Sequence, residues 1–123
     1  MIGTTRNIRV FAYPLPCDLR KGFNGLSGLV TGHFKEDILK GDLFLFVNRV
    51  RKSAKALYFD GTGLCIFMKR LERGRFAKLW RGVDERPLEL TTSELSLFLE
   101  GSEQVGRIKL SPARFVPAAV SFP

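Results

Sequence analysis

Residues 42–81 read DLFLFVNRVRKSAKALYFDGTGLCIFMKRLERGRFAKLWR. Four apolar runs, Leu43 to Val47, Ala56 to Phe59, Leu64 to Met68 and Phe76 to Trp80, are separated by a basic segment and two glycine-bearing turns, the pattern of an antiparallel meander. The first run is apolar at every position, so both of its faces need covering and it belongs in the middle of a sheet. Asp60-Gly61-Thr62-Gly63 supplies the positive φ angles of a tight hairpin and lacks both the following carboxylates of a calcium loop and the lysine spacing of a P-loop. Leu71-Glu72-Arg73-Gly74 is a second turn, with Gly74 in the left-handed position. The last run returns as a strand, with Arg75, Ala77, Leu79 and Arg81 on one side and Phe76, Lys78 and Trp80 on the other.

Charge is concentrated in the same stretch. Between Arg49 and Arg81 stand ten Lys or Arg (Arg49, Arg51, Lys52, Lys55, Lys69, Arg70, Arg73, Arg75, Lys78, Arg81) against Asp60 and Glu72, and the whole chain has a net charge of +8. The remaining residues balance, so the excess lies on one sheet and its loops. Such a patch is an electrostatic footprint for a polyanion. Interleaved rings and cations suit nucleic acid, cations meeting phosphates and exposed rings stacking on unpaired bases.

Outward on the N-terminal side, Asn7 to Tyr13 forms a strand with Ile8, Val10 and Ala12 on one face and Arg9, Phe11 and Tyr13 on the other. Pro14 and Pro16 end it. Asp18 then caps a helix whose apolar stripe is Leu19, Phe23, Leu26 and Val30. Gly22, Gly25, Gly28 and Gly32 each cost such a helix about 1 kcal/mol against Ala, which close packing of its backbone on the sheet would offset. Arg20 and Lys21 fall in its first turn, beside exposed amides. Two readings stand: a phosphate site, or an Asp18 that already occupies the amides with both cations in water. His33 to Gly41 is a polar connection, and its lone histidine has no second ligand or nucleophile nearby in sequence.

On the C-terminal side, Gly82 to Pro87 is a loop. Thr91 and Glu94 open a second helix with a capping box; Leu95, Phe98 and Leu99 form its apolar face and Gly101 stops it. The expected architecture is α+β, an antiparallel meander of about four to five strands with two helices packed against it. Residues 1–101 make one domain; residues 102–123 are a Pro-containing extension with one short strand, Arg107 to Leu110.

At 123 residues and 45% apolar content, with eleven Phe, the chain suits a single core that buries about two-thirds of its unfolded surface. Apolar runs stop at five residues and Met1 to Arg9 holds no apolar leader, which points to a cytoplasmic protein that does not enter a membrane. Cys17 and Cys65 lack zinc spacing and read as reduced, structurally neutral thiols. No cofactor or metal is expected, and no enzymatic activity. The adjacent pairs Glu36–Asp37 and Asp84–Glu85 lie in polar loops, while turn or cap roles explain Asp18 and Asp60. With Glu72, these scattered acids are the whole case for a small metal-dependent nuclease.

The blocks Asp18 to Leu26, Leu43 to Arg49, Ala56 to Cys65 and Lys69 to Phe76, taken in order, closely resemble the TnpB, or Orf-two-like, accessory-protein family of the sixty-six group of bacterial insertion sequences. The resemblance runs from about Cys17 to Gly101. It departs at Phe59, Phe67 and Met68, where that family often has Trp or Tyr, and after Gly101. It implies a protein encoded beside a transposase and needed for transposition of its element. The residues add an expected means, contact with the backbone of element-end DNA through Arg20, Lys21, Arg49, Arg51, Lys52, Lys55, Lys69, Arg70, Arg73, Arg75, Lys78 and Arg81 on a basic face of the meander. The alternative is a module that docks the transposase or another accessory protein, through a sheet edge near Arg81 and residues 102–123, without touching DNA.

Overall fold

A computed structural model of the chain describes residues 7–101. In chain order it contains β1 (Val10–Ala12), α1 (Phe23–Leu29), a π-helical turn (Val30–Phe34), a 3-10 turn (Ile38–Lys40), β2 (Leu43–Val47), β3 (Ser53–Phe59), β4 (Leu64–Arg70), β5 (Leu88–Leu90) and α2 (Thr92–Glu100). The fold is α+β, as expected. Its five-stranded open sheet has the order β4-β3-β2-β1-β5. The expected strand Arg107 to Leu110 and the rest of the extension lie outside the described residues.

Strand β2 occupies the middle because every side chain on it is apolar. Leu45 and Val47 face one core, with Val10, Ala12, Ala54, Ala56, Leu88, Leu90 and Phe98. Phe44 and Phe46 face the other, with Phe11, Cys17, Leu26, Val30, Phe34 and Leu57. Alpha-helix α1 thus covers one face and α2 the other. Rings fill the α1 side: Phe34 meets Phe44 edge-on at 5.0 Å and Phe46 at 5.9 Å, the geometry that ring quadrupoles favour. On the α2 side Phe76 stacks on Phe98 at 5.0 Å.

The β2-β3-β4 meander is antiparallel and the DGTG hairpin joins β3 to β4. Asp60 explains that turn: its Oδ1 accepts the backbone N–H groups of Thr62 and Gly63, both at 2.9 Å, and the Thr62 hydroxyl. Those bonds, with the Thr62 amide foremost, hold its carboxyl down to about 2. Gly61 and Gly74 both take positive φ, and Gly74 is the left-handed residue expected in the second turn. Strand β1 joins β2 in parallel, Val10 opposite Leu43, which makes the sheet mixed.

Three local expectations need correction. Residues 75–80 form no strand. Because β4 lies at one sheet edge and β5 at the other, the chain between them must cross the whole α2 face. It does so as an irregular segment that buries Phe76, Ala77 and Leu79 and exposes Lys78. Two consecutive buried residues, Phe76 and Ala77, break the period of two, so the interleaved ring-and-cation face does not exist.

Second, α1 starts at Phe23 with Gly22 as its cap and no side-chain capping bond. Asp18 instead binds Arg20, accepting its backbone N–H at 2.9 Å and its guanidinium at 2.7 Å, so Arg20 and Lys21 precede the helix. Third, the helix glycines do not approach the sheet. A Cβ at Gly22, Gly28 or Gly32 would meet nothing within 4 Å, and at Gly25 it would meet only the Lys21 side chain. Sheet contact therefore does not account for these glycines, and Gly28→Ala should stabilise the protein by roughly 0.5–1 kcal/mol. A chemical-denaturation midpoint that falls in Gly28→Ala would contradict this.

Helix α2 carries the expected capping box. Glu94 N–H donates to the Thr91 hydroxyl at 3.0 Å and Thr91 N–H to the Glu94 carboxylate at 2.8 Å, and Gly101 ends it at φ 66°. His33 is half-buried, edge-on to Tyr13 at 5.0 Å, with Nε2 2.9 Å from the Glu85 carbonyl oxygen. Both cysteines are free thiols, and burial pushes the Cys17 thiol up to about 11, leaving it protonated and unreactive at neutral pH.

Candidate nucleic-acid interface

Chain direction decides where the cations go. Strand β1 is parallel to β2, and β4 runs the same way because two antiparallel pairings separate it from β2. The segments that leave the C-terminal ends of β1, β2 and β4 therefore emerge at one end of the sheet. These are residues 17–21, 48–52 and 71–76, and hydrogen bonds hold them together. Cys17 N–H donates to the Val47 carbonyl at 2.9 Å, Leu71 N–H to Lys52 at 2.8 Å and Phe76 N–H to Arg51 at 2.7 Å. A cleft of about 660 Å³ opens between the first two segments, lined in part by Asp18, Arg20, Asn48, Arg49, Val50 and Met68.

Asn48 builds the middle segment. Its Oδ1 accepts the N–H groups of Lys52 at 3.0 Å and Ser53 at 3.1 Å, and its carbonyl takes the Arg51 N–H at 3.0 Å. The tight turn pushes Arg51 into the left-handed region, φ 62°, a conformation that costs a non-glycine residue about 1 kcal/mol or more. The Arg51 guanidinium then donates to the Phe76 carbonyl at 3.2 Å. Arg51 is thus a structural clamp between two loops, and Asn48 is the organising residue that charge counting overlooks. Its signal in the sequence is an Asn directly after an apolar strand, where a side-chain carbonyl replaces a backbone acceptor in a turn.

The predicted site residues separate into three groups. Arg20, Lys21, Arg49, Arg51, Lys52, Arg70, Arg73 and Arg75 stand on or beside the three segments at the basic end, whose own acids are Asp18 and Glu72; the loop carrying Asp84 and Glu85 enters the same end of the sheet beyond β1, because β5 runs antiparallel to β1. Within that set Arg20 is held by Asp18 and Arg70 pairs with Glu72 at 3.6 Å. Lys21, Arg49, Lys52, Arg73 and Arg75 have no ion-pair partner among the described residues. Arg49, Arg73 and Arg75 are exposed and Lys52 is half-buried.

Lys55 and Lys69 are anchors. The Lys55 ammonium donates to the Lys21 carbonyl at 3.0 Å, on the α1 side, and the Lys69 ammonium donates to the Leu99 carbonyl at 2.7 Å, on the α2 side. There Lys69 meets the unpaired carbonyls at the end of α2, where a cation is favoured. Lys78 is exposed on the crossing segment, and Arg81 pairs with Asp84 at 3.4 Å and with the Arg86 carbonyl. The expected basic face of the meander is therefore not a face: alternate side chains of one strand point to opposite sides, and of the strand cations Lys55 and Lys69 are tied to backbone carbonyls while Arg70 pairs with Glu72. The free charge gathers at a sheet end instead.

Arg81 itself belongs to no strand, and the sheet edge beside it is the three-residue β5. Arg81 makes an isolated bridge with Asp84 inside its own turn, and the open edge of the meander is β4. No helix among the described residues is long and apolar enough to cross a membrane.

Comparison with known proteins gives a consistent result. Residues 8–107 match the family described as IS66 Orf2-like protein, a span that starts earlier than the quoted motifs and runs past Gly101. The protein y4jC of Sinorhizobium fredii is 32% identical over 114 residues, covering 93% of this chain and 95% of the relative. The protein y4hO of the same organism is 35% identical over 101 residues, covering 82% of this chain and 86% of the relative. Both carry the description uncharacterized protein. No solved structure matches the chain significantly.

Proposed function

The chain belongs to the IS66 Orf2-like family of insertion-sequence accessory proteins, and on that premise we propose that it serves transposition by gripping the phosphate backbone of DNA with the basic end of its sheet. The observation that carries this reading is the meeting of the segments after β2 and β4 at one end of the sheet, with Arg49 and Lys52 of the first and Arg73 and Arg75 of the second unpaired among the described residues. Cations gathered from distant points of the sequence and left without carboxylates repel one another. Such repulsion is relieved when a polyanion supplies the counter-charge. The protein has a holding role in this reading and performs no chemistry of its own. Its compartment is the cytoplasm, where the element's DNA lies.

Binding of this kind is dominated by release of counterions. With four phosphates neutralised, log affinity should fall against log salt with a slope of about 3.6 on duplex DNA, from about 0.9 per phosphate. Fluorescence anisotropy with duplexes of the element ends, titrated at several salt concentrations, measures that slope. A slope near zero would remove phosphate contact as the function of the basic end. Because backbone contacts carry no sequence information, a scrambled duplex of equal length should bind nearly as well.

A further inference from the structure

Strand β4 is a seven-residue edge, and its two most exposed apolar side chains, Phe67 at 48% and Met68 at 53%, are neighbours in sequence. Neighbours on a strand point to opposite faces. Phe67 lies opposite Ala56 on the α2 side and Met68 opposite Lys55 on the α1 side. A ligand or helix resting on one face of the sheet could cover one of them. Only another strand laid along the edge covers both.

The hydrogen-bond register says which groups await such a strand. At the two ends of the β3–β4 ladder, Asp60 N–H donates to Gly63 and Leu71 N–H to Lys52. Bonded pairs in an antiparallel ladder recur at every second residue, so the odd-numbered residues from 63 to 71 direct their backbone groups at β3. Leu64, Ile66, Met68 and Arg70 direct theirs outward, and no backbone bond to them from outside the β3–β4 pair occurs among the described residues. The opposite edge, β5, has only three residues, and short edges are how sheets ordinarily avoid pairing.

We propose that β4 pairs with β4 of a second copy of this chain, antiparallel about a two-fold axis at Phe67, giving a continuous ten-stranded sheet. The occupant follows from self-complementarity. With the axis at residue 67, Leu64 lies opposite Arg70 and Ile66 opposite Met68, and these are the outward-directed residues, so all four satisfy their backbone groups at once. Shifting the axis by one residue to 66 or 68 pulls turn residues into register and leaves outward groups unpaired. The chosen axis also sets Cys65 against Lys69 and Phe67 against its own copy, so no cation faces a cation. Phe67 falls at a position without hydrogen bonds, where opposed side chains come closest, with Cα atoms about 4.5 Å apart. The apolar hollow of about 280 Å³ lined by Leu43, Ala56, Tyr58, Phe67, Leu95 and Leu99 continues across the axis into that of the second copy. This pairing is independent of DNA contact.

The test is sedimentation of the full chain at roughly 10–200 µM, where an interface below about 800 Å² per partner associates measurably. A dimer is expected, and Phe67→Lys, which opposes two cations at the axis, should weaken it at least about tenfold. Thermal unfolding of the variant confirms that it folds. In a Cys65→Ser background, Phe67→Cys should cross-link rapidly on addition of an oxidant. Leu64→Cys should not, its two copies standing about 20 Å apart. A chain that stays monomeric throughout overturns the proposal, whether the edge is open or is taken by residues 102–123 or by another protein. So does a dimer in which Phe67→Cys fails to cross-link.

Discussion

Replacing Asp42 with Ala should destabilise the protein by about 2–3 kcal/mol, the largest effect expected of any single change to a polar side chain here. Asp42 is fully buried and stands just before β2, beside Arg9 at the start of β1. Its Oδ1 accepts the Arg9 backbone N–H at 3.1 Å and its Oδ2 the guanidinium at 3.0 Å, while Leu43 N–H donates to the Arg9 carbonyl at 3.0 Å. The guanidinium, whose proton affinity Asp42 raises first by its hydrogen bond, also reaches Glu36 at 3.4 Å and lies 5.0 Å over the Phe11 ring.

One carboxylate thus pins the sheet's parallel pairing, the slanted kind that is slightly less stable per residue. Alanine leaves the Arg9 backbone N–H without this acceptor and its guanidinium with the longer contact to Glu36. The cost of breaking a fully buried pair, about 3–5 kcal/mol, is discounted because the Arg9 side chain is 41% exposed. Asn keeps one acceptor for the backbone N–H and should cost about 1 kcal/mol. Urea unfolding checks the order. An Asp42→Ala midpoint equal to that of the unaltered protein would show that β1 is held by its apolar contacts alone.

The second large effect concerns binding. Changing Arg49, Lys52, Arg73 and Arg75 together to Ala should lower affinity for duplex DNA at least about 100-fold at 0.1 M salt and flatten the salt slope by about 3.6. The fold should hold, since Arg49, Arg73 and Arg75 are exposed and exposed single changes usually stay within about 0.5 kcal/mol, with a somewhat larger cost at the half-buried Lys52. Arg51 is left out of the set on structural grounds: its guanidinium bonds the Phe76 carbonyl and its backbone takes the Phe76 N–H, so its loss would loosen the loops that present the other four. A quadruple variant that folds and binds DNA as tightly as the parent would defeat the proposed function and leave the edge pairing untouched.

Much of this molecule was legible in one dimension. The α+β class, the central place of Leu43 to Val47, the DGTG hairpin, the left-handed Gly74 and the Thr91–Glu94 capping box all follow from contacts within a few residues, where periodicity and turn chemistry act directly. The family blocks were equally plain. The misreadings share a cause. Residues 75–80 alternate well enough to suggest a strand, but the sheet order demands a crossing there. Asp18 suits a helix cap, but Arg20 two residues on competes for its carboxylate. The glycines of α1 suggest close packing, yet they turn outward.

The run of residues along the chain settled which segments pair locally, which turns join them and how many cations the protein carries, because those are properties of neighbours. Where the cations point, which residue clamps β1 to β2 and which edge stays open depended on strands brought together from distant positions. Side chains on one strand alternate between faces whatever their charge. Only the shared direction of β2 and β4 gathers Arg49, Lys52, Arg73 and Arg75 at a single end.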